Sequence, residues 1–235
     1  MIRAVITQRE ELGQHGGPVD SLEQEYVTFF TACGITVFPI SSFINSVSDF
    51  LETVECDLVL LTGGGIVPHS VYRYDVEGRH QRFRDRMERE LIAYALERDI
   101  PLVGICRGMH QLNGYFDGYI SPFSDLPAPR AVREAHPVHV VSGERFAVNH
   151  YHRDGLFQAD LGMGLKPLAW DAENRLVEAF VHEVHPLLAV QWHPERMELG
   201  TEANRWFINH LMELVRTKRM QAGRKQVEGS GREWN

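Results

Sequence analysis

One cysteine stands where a nucleophile can act. The segment Pro101-Leu102-Val103-Gly104-Ile105-Cys106-Arg107-Gly108 is an apolar strand that meets a cysteine set between two glycines and runs on into a helical stretch, Met109–Phe116. A nucleophile on a tight strand-to-helix turn needs small neighbours, because the turn is strained and the substrate must come close. Cys106 would project at the end of its strand, where the start of a helix and Arg107 favour an anionic sulfur. Cys33, in the helix-to-strand passage Phe29–Thr36, and Cys56, just before a strand, read as structural cysteines. Three widely spaced cysteines without a CxxC pair suit a reducing compartment better than a disulfide framework.

A second segment supplies acid–base chemistry. Leu188-Ala189-Val190-Gln191-Trp192-His193-Pro194-Glu195 reads as a strand that ends in a histidine and a carboxylate two residues apart. Pro194 biases His193 towards extended backbone, in which residues i and i+2 point to one side. Glu195 can then orient the ring, leaving its other nitrogen to face a thiol. A third segment, Thr62-Gly63-Gly64-Gly65, is a glycine turn straight after the apolar run Leu58–Leu61. Such a turn exposes N–H groups that serve as a phosphate cradle or an oxyanion hole. A P-loop would continue into Gly-Lys-Ser/Thr, which is absent.

These three segments need a scaffold that brings strand ends together. Apolar runs at Ile2–Ile6, Ile35–Pro39, Leu58–Leu61 and Leu102–Ile105 alternate with segments of helical period at Leu22–Thr31, Phe43–Val54 and Arg82–Leu96. This predicts an α/β fold, a doubly wound, mostly parallel sheet covered on both faces, with ligands at the carboxyl ends of the strands. After about Gly118 the pattern turns β-rich: His136–Val141, Arg145–Val148, Leu165–Trp170, Leu176–Val181 and Leu187–Trp192, with a hairpin turn at Asp171–Asn174. These strands are expected to complete the same sheet. A helix at Thr201–Arg216 closes a single domain over residues 1–216, and the polar, glycine-containing stretch 217–235 reads as a disordered tail.

The bulk composition excludes other classes. With 43% hydrophobic and 24% charged among 235 residues, the chain is ordinary globular material, and a net charge of −8 argues against a nucleic-acid partner. No run approaches the roughly 20 apolar residues of a membrane helix, and no signal peptide is apparent, so a cytoplasmic location is expected.

Taken in order, Gly-Ile-Cys106-Arg107-Gly, the triple glycine, Val148-Asn149 and Trp192-His193-Pro194-Glu195 resemble the class I glutamine amidotransferase-like superfamily, and within it the γ-glutamyl hydrolases, over roughly Ile2 to Arg216. The resemblance implies a Cys106–His193–Glu195 triad that cleaves γ-glutamyl amides through a thioester, with oxyanion donors at the N–H groups of Gly64 and Arg107. It implies substrate contacts from Gly65, His110, Gln111, Asn149, His150 and Tyr151, no cofactor, and a small γ-glutamyl conjugate as partner; a homodimer is compatible with it. Asp85 and Glu88 resemble the acidic helix start of the γ-glutamyl hydrolase branch, with a solvated helix face as the alternative.

Two departures bear on the substrate. Four residues after the cysteine, the usual Gln is His110, followed by Gln111, and Asn149-His150 stands where Asn-Ser is typical. His110 could pair with the substrate's α-carboxylate or satisfy a hydrogen bond beside its helix. Ile6-Thr7-Gln8-Arg9, Tyr119-Ile120-Ser121-Pro122, Glu144-Arg145-Phe146 and Trp192-His193 with Glu195-Arg196 resemble the γ-glutamyl-CDP-amidate hydrolases, which act in capsular polysaccharide synthesis. On that resemblance Arg9, Arg130, Arg133 and His136 are candidates for a diphosphate, against a reading of each as an ordinary surface charge. A γ-glutamyl-γ-aminobutyrate hydrolase, a glutaminase subunit serving a separate synthetase and an inactive binding module are the alternatives. His136-x-x-His139 and His150-x-His152 raise a zinc site, but no cysteine lies nearby in sequence and no metal is expected.

Overall fold

The computed structural model describes residues 1–122, 132–173 and 175–230, residues 221–230 by their backbone alone. Nine strands form one sheet: β1 (Ile2–Thr7), β2 (Ile35–Ile40), β3 (Leu58–Leu61), β4 (Leu102–Ile105), β5 (His136–Val140), β6 (Arg145–Val148), β7 (Leu165–Asp171), β8 (Val177–His182) and β9 (Leu187–Val190). Their order is β2-β1-β3-β4-β9-β8-β7-β5-β6. Neighbours from β2 to β9 are parallel, and those from β9 to β6 are antiparallel. The helices are α1 (Gln24–Ala32), α2 (Val47–Val54), α3 (Arg82–Glu97), α4 (Arg107–Tyr115) and α5 (Glu202–Ser230).

Strands that are apolar throughout are buried on both faces, and β3, β4 and β9 are fully buried along their length. Successive side chains go to opposite layers. Ala4, Ile6, Leu60, Val103 and Leu188 pack with Phe29 and Phe30 of α1 and Trp206 and Phe207 of α5. Val5, Val59, Leu61, Leu102 and Ala189 pack with Leu51 of α2, Leu91 of α3 and Leu112 of α4. Each fully buried Leu, Ile or Phe contributes about 1.5–3 kcal/mol, so the two layers fix the height at which each strand ends. The carboxyl ends of β3, β4 and β9, side by side, carry the glycine turn, Cys106 and His193.

Four local expectations change. The helix expected from Phe43 begins at Val47, because the Ser46 hydroxyl accepts the Asp49 N–H at 3.2 Å and caps it there. The charged residues after β1 conceal a hairpin, Arg9–Leu12 paired antiparallel with Pro18–Ser21. The last helix runs on to Ser230 rather than giving way to a tail after Arg216: Lys218, Arg219 and Met220 are good helix formers, and Arg219 donates to the Met1 carbonyl at 2.6 Å and to Asp57 at 3.2 Å. His136 and His139 do not share a face, since three residues along a strand reverse the side; His136 is buried and His139 half-buried. Asn174 of the expected hairpin turn lies outside the described residues, while β7 and β8 pair antiparallel around it.

Candidate active site

Cys106 caps α4 with φ 53° and ψ −106°, a backbone conformation unfavourable for any residue with a Cβ. Its N–H donates to the Val190 carbonyl at 2.8 Å, tying the turn to β9. The flanking glycines are demanded by packing. A Cβ on Gly104 would meet the Gly108 carbonyl at 2.7 Å, and one on Gly108 would meet the Leu61 carbonyl oxygen at 2.2 Å. Helix α4 therefore starts hard against the sheet, with the N–H of Arg107 in its first turn, where helical amides lack intrahelical acceptors.

His193 follows β9 with extended backbone, held by Asn149: its N–H donates to Asn149 Oδ1 at 2.9 Å, and Asn149 Nδ2 donates to its carbonyl at 2.8 Å. His193 Nδ1 lies 2.5 Å from Glu195 Oε1, and the ring stands beside Cys106. Burial pushes the His193 pKa down, but the charges of Cys106 and Glu195 and the hydrogen bond to Glu195 outweigh it and raise the pKa to about 10. Gly63 is the floor between the two side chains, since a Cβ there would lie 2.8 Å from His193 Cε1 and 3.4 Å from the Cys106 Cβ.

The glycine turn is held from behind. Gly64 and Gly65 take φ of +85° and +81°. The fully buried Arg84 donates to the carbonyls of Thr62, Gly63 and Gly64 at 2.6, 3.2 and 2.9 Å, and to Glu88 at 2.8 Å. With those carbonyls drawn rearwards, and the Thr62 and Gly63 N–H groups spent on Thr7 and Tyr26, the N–H of Gly64 is left for the cleft. Glu88 also binds Arg107 at 2.6 Å, and Arg107 pairs with Asp85. The solvated-face reading of Asp85 and Glu88 is thereby corrected: both are buried in this network. Tyr26, which carries no short-range signal in the sequence, accepts the Gly63 N–H at 2.9 Å and lies close enough to Glu195 to feel its charge. Burial, then the Glu195 charge, hold its pKa well above the ordinary range.

A cleft of 670 Å³ opens over Cys106 and His193. Gly64, Gly65, Arg107, His110, Tyr151 and Arg9 line it, together with Glu23, Tyr74, His152, Arg153, Asp154 and Arg196, which were not singled out as contacts. His110 Nε2 meets Gln191 Oε1 at 2.6 Å, the helix-side bond, while the ring edge faces the cleft. Tyr151 packs against the His193 ring, with Arg196 stacked 4.5 Å above it. Arg9 reaches the cleft against Gly64 but is engaged by Glu11 at 3.0 Å and Glu23 at 2.5 Å.

Other expected contacts lie elsewhere. Gln111, Asn149 and His150 are outside the cleft lining, because Asn149 is spent on the His193 backbone and His150 turns inward to the rings of His136 and His152. His136 is buried away from the cleft, Arg133 is exposed away from it, and Arg130 lies outside the described residues. No helix among the described residues is long and apolar enough to cross a membrane.

Comparison with known proteins gives the family and the fold. The Peptidase C26 family matches residues 2–195. A protein of Lactococcus lactis described as glutamine amidotransferase-like, YvdE, is 33% identical over 206 residues, covering 75% of this chain and 81% of its own. The γ-glutamyl-CDP-amidate hydrolase of Campylobacter jejuni is 33% identical over 138 residues, 59% of this chain and 62% of that one. Among solved structures, a glutamine amidotransferase of Thermotoga maritima superposes with a TM-score of 0.57 at 16% identity, covering 99% of this chain and 86% of that one. The glutaminase domain of Trypanosoma brucei CTPS gives 0.65 at 15% identity, over 92% and 94%. The shared fold and the family match together place this chain in the Peptidase C26 family of the class I glutamine amidotransferase-like hydrolases.

Proposed function

We infer that the protein hydrolyses a γ-glutamyl amide bond in a small conjugate, with Cys106 as nucleophile. The observation that carries this reading is the contact file Cys106–His193–Glu195 at the base of an open cleft, beside the glycine turn. His193 takes the thiol proton, and the sulfur adds to the γ-carbonyl carbon. The oxyanion is met by the N–H groups of Gly64 and Arg107. The C–N bond breaks as His193 returns that proton to the leaving nitrogen, and a γ-glutamyl thioester remains on Cys106. Water, deprotonated by His193, then adds to the thioester, and glutamate leaves as the thiol is restored. A His193 pKa raised to about 10 suits the acid step, because the ring keeps the proton until the leaving nitrogen collects it.

The favoured leaving group is cytidine diphosphoramidate, and the relative that carries that activity by name supports it. So do the arginines at the cleft mouth: Arg9 and Arg196 share Glu23, and the exposed Arg153 makes no ion pair among the described residues. Glutamate release from γ-glutamyl-CDP-amidate, glutamine and γ-glutamyl-γ-aminobutyrate should be measured for the wild type and for Cys106→Ala. The nucleotide conjugate should show much the highest kcat/KM, and Cys106→Ala should be inactive but folded. Equal kcat/KM for all three would remove the nucleotide assignment, and activity in Cys106→Ala would remove the hydrolytic mechanism.

A further inference from the structure

The antiparallel half of the sheet holds a cluster of ionisable groups that hydrolysis does not use. His136 of β5, Asp171 of β7 and Glu178 of β8 are all but inaccessible, and their ligand atoms lie within 4.8 Å of one another. His136 Nε2 is 3.2 Å from Glu178 Oε1, and His152 Nε2 approaches the same oxygen at 3.9 Å. Neither oxygen of Glu178 accepts a hydrogen bond among the described residues, and no Lys or Arg there pairs with it. A buried carboxylate in that condition is costly, and native proteins rarely leave one so.

The ring of His152 turns towards the same carboxylate. Its Nδ1 is 2.8 Å from the Asp154 carbonyl, an acceptor only, so Nδ1 carries the hydrogen. The Nε2 of the neutral ring then presents a lone pair to the Glu178 carboxylate. Two such groups facing each other in a core are relieved by a proton or a metal ion between them, and with His136 and Asp171 beside the same carboxylate a metal ion can serve all of them at once. A histidine whose far N–H is fixed by a backbone carbonyl while its near nitrogen meets a carboxylate has the arrangement of a metal ligand with its outer shell.

We propose that His136, His152 and Glu178 bind one divalent ion of the zinc class, with Asp171 closing the coordination. Imidazole and carboxylate ligands suit such ions, and bonds of about 2.0–2.2 Å separate tetrahedral ligands by about 3.3–3.6 Å. The His136–Glu178 separation of 3.2 Å is already of that size, and His152 needs to close by only about 0.5 Å. The ion would join three neighbouring strands to the segment Tyr151–Asp154, which forms one wall of the cleft. Its role is positional, since the reacting groups lie on the other side of that wall.

The test reads metal, not turnover, and so stands apart from the hydrolytic reading. Full-length protein carrying Cys106→Ser, which removes a competing thiol, and purified without a polyhistidine tag is stripped with chelator. It is then titrated with Zn2+ against a chromophoric competitor, and bound metal is counted after gel filtration. One equivalent per chain is expected. Loss of an outer-shell partner costs about 10- to 100-fold in metal affinity, so Glu178→Gln and His136→Gln should each weaken binding by at least about 100-fold. Co2+ loaded into the same parent protein should give tetrahedral d–d bands without a thiolate charge-transfer band, a readout that does not depend on either variant folding. Only trace Zn2+ after loading, an octahedral Co2+ spectrum, or unchanged affinity in folded Glu178→Gln would overturn the site.

Discussion

Two sets of ion pairs flank the cleft, one behind the glycine turn and one at the mouth. At the rear, the side chains of Arg84 and Glu88 are wholly buried and that of Arg107 is 2% exposed. At the mouth, Glu23 bridges Arg9 and Arg196, whose side chains are 32% and 25% exposed. The rear charges are tolerable only because each has several partners: burial and the Arg107 charge lower the Arg84 pKa to about 10, while Glu88 is drawn below the carboxylate range against its own burial by both arginines. The mouth pairs are half-exposed, and salt screens them more than the rear set. The rear set is thus a rigid backing for the amides of the turn, and the front set can exchange partners when an anionic substrate arrives.

Glu88→Gln is the strongest way to break this contrast. It strands two buried guanidinium groups, and the expected loss of stability is about 3–5 kcal/mol in urea unfolding. A loss below about 1 kcal/mol would make the rear pairs no different from surface ones. Tyr26→Phe removes the acceptor of the buried Gly63 N–H, and about 1–3 kcal/mol should go with it. Because the phenol holds Gly63, the floor between Cys106 and His193, kcat should fall more than KM rises; a change in KM alone would confine Tyr26 to substrate binding.

A third variant sharpens the electrostatic argument. His193 has its pKa raised, so its charged form is favoured in the folded protein. That contribution is full below the ordinary histidine pKa of about 6.5 and is lost as pH rises through about 10. The kcat profile should accordingly decline on the alkaline side, as the ring loses the proton it gives to the leaving nitrogen. Glu195→Gln takes away part of what raises that pKa, and the alkaline limb should move to lower pH; a limb that stays in place would assign it to another group. The smallest effect belongs to the mouth. Arg196→Ala should cost at most about 1 kcal/mol of stability, less at high salt, and a salt-independent loss would show that stacking on Tyr151 outweighs the ion pair.

What the sequence made legible was local. The turn at Cys106 is announced within five residues by an apolar run and two glycines, and the His193–Glu195 spacing by a proline in extended chain. The alternation of apolar runs with helical periods made the sheet readable, because a parallel sheet buries both strand faces. The partners that hold these pieces come from far along the chain. Tyr26 meets Gly63 across 37 residues, and Asn149 meets His193 across 44. Neither carries a short-range signal, so Asn149 read as a substrate contact and Tyr26 had no assigned role. The charged hairpin after β1 escaped notice because it covers no hydrophobic face and shows no alternation.

The backbone of Cys106 has a consequence for inheritance. At φ 53° and ψ −106° glycine is the residue at ease, and a side chain there costs on the order of 1–3 kcal/mol. Cys106→Gly therefore leaves the fold at least as stable as before while removing the sulfur. For this position drift towards an inert protein runs downhill in free energy, and folding supplies no brake on it. A cysteine that persists here in a lineage is kept by the work it does.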